Sequence, residues 1–299
     1  MNSDIEKKIL QTLKSVCPTF EASRILVETG KCLLIHGNME EFKAIAKCLI
    51  HPDDYWKQLF LQEISTYQNF QEFPPPFTVP RSLFVDSNKC ILILEFIDGQ
   101  PLGNERYANK PLPKKQFDIL LKDLCLLHQW KAPFAVSPSE IVKSYKARIR
   151  KYVELGFLSN RDFLNLSTLL DSHHWIPEFN HGDLLLMNCF ALENQIVFID
   201  WEFSGLYLSG YDLALLWIIL CSDPYSRQLI EDTVKYKATS ARIAFTINQA
   251  VILARELKIY NQLPNEKTRN ERIKSLEQDL NKVRYLIQEY QQWITNLNT

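Results

Sequence analysis

From Tyr211 to its last residue the chain contains no glycine, and only eight glycines occur in all 299 residues. A stretch of that length without the residue that most readily interrupts a helix favours long helices joined by short turns. The glycines that do occur also exclude two nucleotide-binding designs. There is no G-x-G-x-x-G, and the single G-x-x-x-x-G, Gly205 to Gly210, runs into Tyr211-Asp212 where a Walker loop needs Lys and Ser/Thr.

Composition narrows the class further. With 46% hydrophobic residues, 23% charged residues and a formal charge of −1, the chain is an ordinary globular protein with matter for a sizeable core, and neither disordered nor a nucleic-acid polycation. This length favours two domains or two lobes. Seven cysteines without a C-x-x-C argue against a disulfide framework and a zinc ribbon, and fit reduced thiols in a cytoplasm. The start, MNSDIEKKIL, is charged where a secretory signal is apolar, and the longest apolar run, Leu213 to Cys221, falls short of the roughly 20 residues that span a bilayer. A cytoplasmic protein without a membrane partner is expected.

The periodicity changes along the chain. Ile5, Ile9, Leu10, Leu13 and Val16 recur at helical spacing up to Pro18, and β-like runs follow at 24–28, 32–36 and 42–49, with turns expected at Gly30, Gly37-Asn38 and His51-Pro52. A helix is predicted from Asp54 to Phe70, ended by the triple proline 74–76, and two more strands at 81–85 and 90–96. Beyond Gly99 the pattern is mostly helical. Helices are predicted at 113–131, from a Ser137-Pro138-Ser139-Glu140 capping box towards Gly156, from Tyr211, and at 238–258 and 267–297, with a small β island at 188–200.

The densest polar information is His181-Gly182-Asp183, then Asn188, then Asp200-Trp201-Glu202 after the apolar run Ile196–Ile199. A carboxylate at the end of a buried strand is costly unless it is paired or holds a metal. Asn188 and Asp200 would offer magnesium the oxygen ligands it prefers, and Asp183 could then accept a proton from a hydroxyl nucleophile. Glu202 could touch a second magnesium or cap a turn. His173-His174 are adjacent and do not face a common ligand, so they are expected in solvent.

This order of residues resembles the aminoglycoside phosphotransferase and choline kinase group of small-molecule kinases, which are similar in fold to protein kinases. The downstream Tyr211-Asp212-Leu213-Ala214 is similar to a segment of that family. The resemblance implies an α+β, bilobal, protein-kinase-like fold: an N-lobe at 1–97 with a five-stranded antiparallel sheet and helices, and a mostly helical C-lobe at 98–299. It implies ATP and magnesium as cofactors and a small-molecule hydroxyl as acceptor, with Asp183 as catalytic base, His181 supporting its loop, Asn188 and Asp200 on the metal, and Asp212 as a structural residue capping the helix at Tyr211 and steadying the catalytic loop.

A kinase of this type needs a strand lysine held by a helix glutamate. Lys43 and Lys47 share one face of the strand 42–49; Lys47, late in the strand, is chosen, with Glu63 as its partner. The apolar run Leu92–Phe96 leading to Gly99 resembles the family's hinge, so adenine is expected on main-chain groups of Glu95, Phe96 and Ile97. Thr29-Gly30-Lys31-Cys32 would cover the phosphates, with Gly30 and Lys31 as its binding residues. The stretch from Trp201 to Asp212 also resembles choline and ethanolamine kinases, whose acceptor is a cationic amino alcohol, but Gly182 stands where those kinases commonly have Asn and points to the aminoglycoside phosphotransferase-like group. Polycationic acceptors would need an acidic pocket, for which Glu231 and Asp232 are candidates. A nucleotide-binding pseudokinase is the reading outside the enzymes. A protein kinase is disfavoured, because Asp200-Trp201-Glu202 replaces the DFG pattern and no APE-like element follows.

Overall fold

A computed structural model describes residues 3–133, 135–264 and 266–297. The chain opens with α1 (Ser3–Val16), β1 (Phe20–Glu28), β2 (Cys32–Met39), β3 (Phe42–Leu49), α2 (Asp54–Glu72), β4 (Ser82–Asp86) and β5 (Ile91–Glu95). The five strands form one antiparallel sheet in the order β1-β2-β3-β5-β4. Alternation along the strands decides what each face carries. Leu33, Ile35, Ala44, Ala46, Cys48, Ile91 and Ile93 gather with Leu13 and Cys17 of α1 in one core. Lys47, between Ala46 and Cys48, therefore points to the other face, which α2 occupies.

The turn expected at Gly37-Asn38 lies elsewhere. β2 continues through both residues to Met39, and the chain reverses at Glu40, whose φ is 56°. Gly37 meets a different need: it pairs with Ala22 beside a bulge in β1, and a Cβ there would collide with the Glu21 carbonyl oxygen. The glycine permits close approach of two backbones.

The chain continues through β6 (Gln100–Pro101), α3 (Lys114–Gln129), α4 (Pro138–Glu154), α5 (Asn160–Asp171), β7 (Glu178–Asn180), β8 (Cys189–Ala191), β9 (Ile196–Phe198), β10 (Gly205–Tyr207), α6 (Tyr211–Ile219), α7 (Pro224–Lys235), α8 (Thr239–Asn261) and α9 (Glu266–Leu297). These elements divide into two compact units. The first takes the chain through Asn104, then Lys114–Pro133 and Leu186–Ser204; the second takes Glu105–Pro113, Phe134–Leu185 and the chain from Gly205 onward. α3 and the β8–β9 hairpin, which the sequence places beyond residue 97, thus join the five-stranded sheet in one unit.

Within the first unit, Asp123 of α3 accepts the Ile196 N–H at 2.7 Å and fixes the start of β9. α2 holds the 3₁₀ turn Trp201–Phe203 that follows β9. The Thr66 hydroxyl lies 2.9 Å from that of Ser204, the Gln62 amide donates to the Ser204 carbonyl, and Phe70 and Phe77 pack on the buried Trp201 ring. In the second unit α8 is buried on nearly every face, and α9 lays Leu276, Leu280, Val283 and Ile287 into the same core. β7 pairs with β10, Asn180 facing Gly205, so Gly205 sits in a strand, whereas Gly210 bends with φ 77° at the N-cap of α6. No helix among the described residues is long and apolar enough to cross a membrane.

Candidate active site

In the first unit, the buried stripe of α2 runs Phe60, Glu63, Ile64, Tyr67, Phe70, so helical spacing drives a carboxylate into an apolar face. Glu63 is 1% exposed and Lys47 is 9% exposed. The Lys47 ammonium donates to Glu63 Oε2 at 2.6 Å and to Asp200 Oδ1 at 2.5 Å. Lys43, four residues earlier on the strand, is exposed. Asp200 adopts the left-handed region, φ 66° and ψ 63°, which costs of order 1 kcal/mol and aims its carboxylate at the lysine. Two residues on, Glu202 accepts from the Lys31 ammonium, which also lies 5.2 Å from the Trp56 ring centre. Glu202 forms this ion pair and caps no turn with its side chain.

Charge does not balance in this cluster. Glu63, Asp200 and Glu202 bring carboxylate oxygens within 4.8 Å of one another, against two ammonium groups. Burial works against the Lys47 charge, yet Asp200 and Glu63 outweigh it and hold its pKa well above the ordinary value. Burial pushes the Glu63 carboxyl up to about 7 and raises Glu202 as well, with Asp200 adding to both. A surplus of clustered oxygen ligands fits a hard divalent cation such as magnesium. Asn188 is buried at the same end of the β8–β9 hairpin as Asp200: Cys189 pairs with Phe198, and the Ile199 N–H donates to the Asn188 carbonyl at 3.0 Å.

The other positions expected from sequence to meet the nucleotide are mostly main chain. The Thr29 hydroxyl accepts the Lys31 and Cys32 N–H groups, closing the β1–β2 turn, while Gly30 is exposed with no atom within 4 Å of an added Cβ. After β5, the Glu95 N–H donates to the Arg81 carbonyl and the Phe96 N–H to the Lys43 carbonyl, both at 2.9 Å. Those two donors are committed, which leaves the Glu95 carbonyl side and Ile97 for a base.

In the second unit, the loop 181–183 hangs on Asp212. Its carboxylate accepts the His181 N–H at 2.6 Å and the Gly182 N–H at 2.9 Å, and its own N–H donates to the Asn180 side chain at 3.1 Å. Asp212 does not cap its own helix as expected. Gly210 occupies the N-cap, and the Asp212 carboxylate, in the first turn of α6, is drawn to the loop by the two N–H groups it satisfies. Gly182 has φ 83°, a conformation that lets both adjacent amides point to Asp212. His181 is fully buried, and its Nδ1 accepts the Asp183 N–H at 3.4 Å.

The structure also brings together residues that the sequence reading passed over. Arg255 and Glu256 sit side by side in α8. Glu256 is fully buried and receives the Arg106 guanidinium in two bonds of 2.8 and 2.7 Å, the Tyr107 hydroxyl at 3.1 Å and Arg255 Nε at 3.2 Å. Burial opposes its charge, but these donors hold its pKa below the ordinary value. Arg255 Nη1 lies 3.7 Å from Asp183 Oδ1. A signal existed, since two charges interrupt the apolar run of α8 and buried charges require partners. Glu231 and Asp232 line a cavity of about 660 Å³ with Trp217, Arg242 and Gln249, and neither Asp183 nor Arg255 belongs to it.

A model of the phosphotransferase enzyme family matches residues 48–245. No curated protein matches the chain. Among solved structures, the choline kinase LicA from Streptococcus pneumoniae is similar at 15% identity and a TM-score of 0.62, covering 93% of this chain and 99% of that one. The ADP-bound aminoglycoside phosphotransferase APH(2'')-Ib is similar at 14% identity and a TM-score of 0.61, covering 95% and 99%. A choline/ethanolamine kinase family protein from Mesorhizobium loti gives 14% and 0.60, covering 95% of each chain. At these identities the likeness establishes the α+β, kinase-like fold.

Proposed function

The chain belongs to the phosphotransferase enzyme family and is a small-molecule kinase, and from that premise we propose that it moves the γ-phosphoryl group of ATP, with magnesium, to a hydroxyl of a small molecule. The observation that carries the reading is Lys47, a buried ammonium held between a helix glutamate and a backbone-strained aspartate. Phosphoryl transfer asks a protein for positioning and charge more than for covalent chemistry. Lys47, fixed by Glu63, supplies positive charge to phosphate oxygens. In this reading Lys31 and the turn at Gly30 cover the phosphates, and the main chain from Glu95 to Ile97 receives the base.

Asp200 and Asn188 would hold magnesium, with the Glu202 carboxylate beside Asp200. When bound, the ion would supply charge neutralisation to the phosphates. Asp183 orients the acceptor hydroxyl and takes its proton as the oxygen–phosphorus bond forms, and ADP leaves with the electron pair of the broken bond. Asp212 and His181 keep the Asp183 backbone in place.

An assay of ADP release across hydroxyl acceptors tests this reading. Asp183→Asn should lower acceptor-dependent turnover by roughly 10²- to 10⁴-fold and keep the thermal shift produced by ATP with magnesium. Wild-type turnover in that variant would remove Asp183 as the base. ATP-induced stabilisation without ADP release on any acceptor would assign the chain to the pseudokinases.

A further inference from the structure

We propose that the acceptor carries a carboxylate-type anion, which pairs with the guanidinium of Arg255 while Asp183 holds the hydroxyl to be phosphorylated. This inference rests on the reading of Asp183 as the base and names the chemistry of its substrate.

The Arg255 guanidinium is incompletely used. Its Nε bonds Glu256, but Nη1 stands 3.7 Å from Asp183, beyond hydrogen-bond distance, and Nη2 is buried without any hydrogen-bond partner. An unsatisfied donor on a buried charged group is costly, so a protein that retains one usually has a partner to come. Glu256 does not need Arg255, because Arg106 already grips it in a two-pronged bond and Tyr107 adds a third donor. A guanidinium whose Nη1 makes no hydrogen bond of its own can turn that nitrogen to an incoming carboxylate. The side chain stays 21% exposed.

Distance ties this fork to the reaction. A hydroxyl within hydrogen-bond reach of that Asp183 oxygen lies no more than about 6.5 Å from Arg255 Nη1, the separation of neighbouring functional groups in a hydroxy acid or sugar acid. A further guanidinium lies in the same unit. Arg148 forms no ion pair among the described residues and lies over the Tyr207 and Tyr145 rings at 5.3 and 5.8 Å. Tyr152 and Tyr211 lie within electrostatic reach of both Arg148 and Arg255. Arg106 and Arg255 lie against Glu256, and Arg255 also against Asp183. A cationic acceptor would set a further positive charge beside Arg255, whereas an anionic one would offset that charge.

Matched acceptors test the inference on the full chain. One series is D-glucuronate, D-glucose and D-glucosamine; another is D-glycerate, glycerol and ethanolamine; choline and kanamycin extend the cationic arm. The expected result is ADP release with the lowest KM for the anionic member, at least tenfold below its neutral partner. Arg255→Gln should raise KM for the anionic member by tenfold or more and change that for the neutral member far less, with Arg255→Lys between. A thermal shift with ATP and magnesium reports that each variant is folded. Preference for neutral or cationic acceptors would overturn the inference and leave the kinase reading intact. An equal loss of kcat on anionic and neutral acceptors in Arg255→Gln would overturn it too, because the guanidinium would then serve the transferring phosphoryl group or Asp183 itself. Absence of ADP release with every acceptor would defeat both readings together.

Discussion

Glu63 has been carried by helical spacing into a face that would be stable with leucine there, and its carboxylate shares one buried ammonium with Asp200. Its pKa, pushed to about 7 from 4.5, has a thermodynamic consequence. The folded state binds this proton more tightly than the unfolded chain, so the contribution to stability is full below about pH 4.5 and is lost as pH rises through 7. With metal chelated, wild-type stability should fall across that window by up to about 3 kcal/mol more than that of Glu63→Gln. Chemical denaturation at stepped pH measures it, and parallel curves for the two proteins would mean that Lys47 keeps Glu63 ionised throughout. Lys47 and Glu63 were legible in sequence because a kinase-like chain needs a lysine late in its third strand and a glutamate on the helix that follows, and this chain has both in order. Arg255 and Glu256 interrupt the apolar run of α8, but they belong to no motif, and their partners Arg106 and Tyr107 come from a loop some 150 residues away in the chain. Sequence order offers no hint of such a pairing.

At the scale of elements, local chemistry was readable and long-range register was not. The Ser137 capping box places α4, because the signal lies within four residues. The glycine at 37 misled as a turn signal, since its cause is a bulged partner strand that periodicity does not reveal. α5 was passed over although Ser159 and Asp162 form a capping box of their own. Asp162 does more than cap: Arg284 of α9 donates to both its oxygens at 2.9 and 2.8 Å, tying the two helices. Burial opposes the Asp162 charge, and Arg284 with Ser159 more than offsets it, lowering its pKa. Ser159→Ala should cost about 1 kcal/mol, the worth of a cap, whereas Asp162→Ala should cost about 2–3 kcal/mol because the α9 tie goes with it. Equal midpoints for the two variants in urea would show that the tie contributes nothing.

At the scale of the whole molecule, the two compact units are not two halves of the sequence. The chain passes from one to the other after residues 104, 113, 133, 185 and 204. A boundary near 97 is what periodicity suggests, because β-like spacing ends there, but spacing records local structure and not which segments share a core. The crossing after 185 falls between Asp183 and Asn188, so the spacing that looks like one motif in sequence would place its proposed base in one unit and its proposed metal ligand in the other. The surroundings differ as well: carboxylates exceed ammonium groups around Lys47, whereas a guanidinium, that of Arg255, stands beside Asp183. Negative surplus suits a cation accompanying the nucleotide, and this gives a prediction separate from catalysis. ATP with magnesium at a hundredfold excess over its dissociation constant should stabilise the protein by about 2.7 kcal/mol, and chelating the magnesium should remove most of that gain. In Asp200→Asn the shift with ATP should be small and indifferent to magnesium, because the ligand that ties cation to protein is gone while Lys47 and Glu63 still hold each other. A calorimetric scan with and without chelator reads the difference, and a full magnesium-dependent shift in Asp200→Asn would place the cation on other residues.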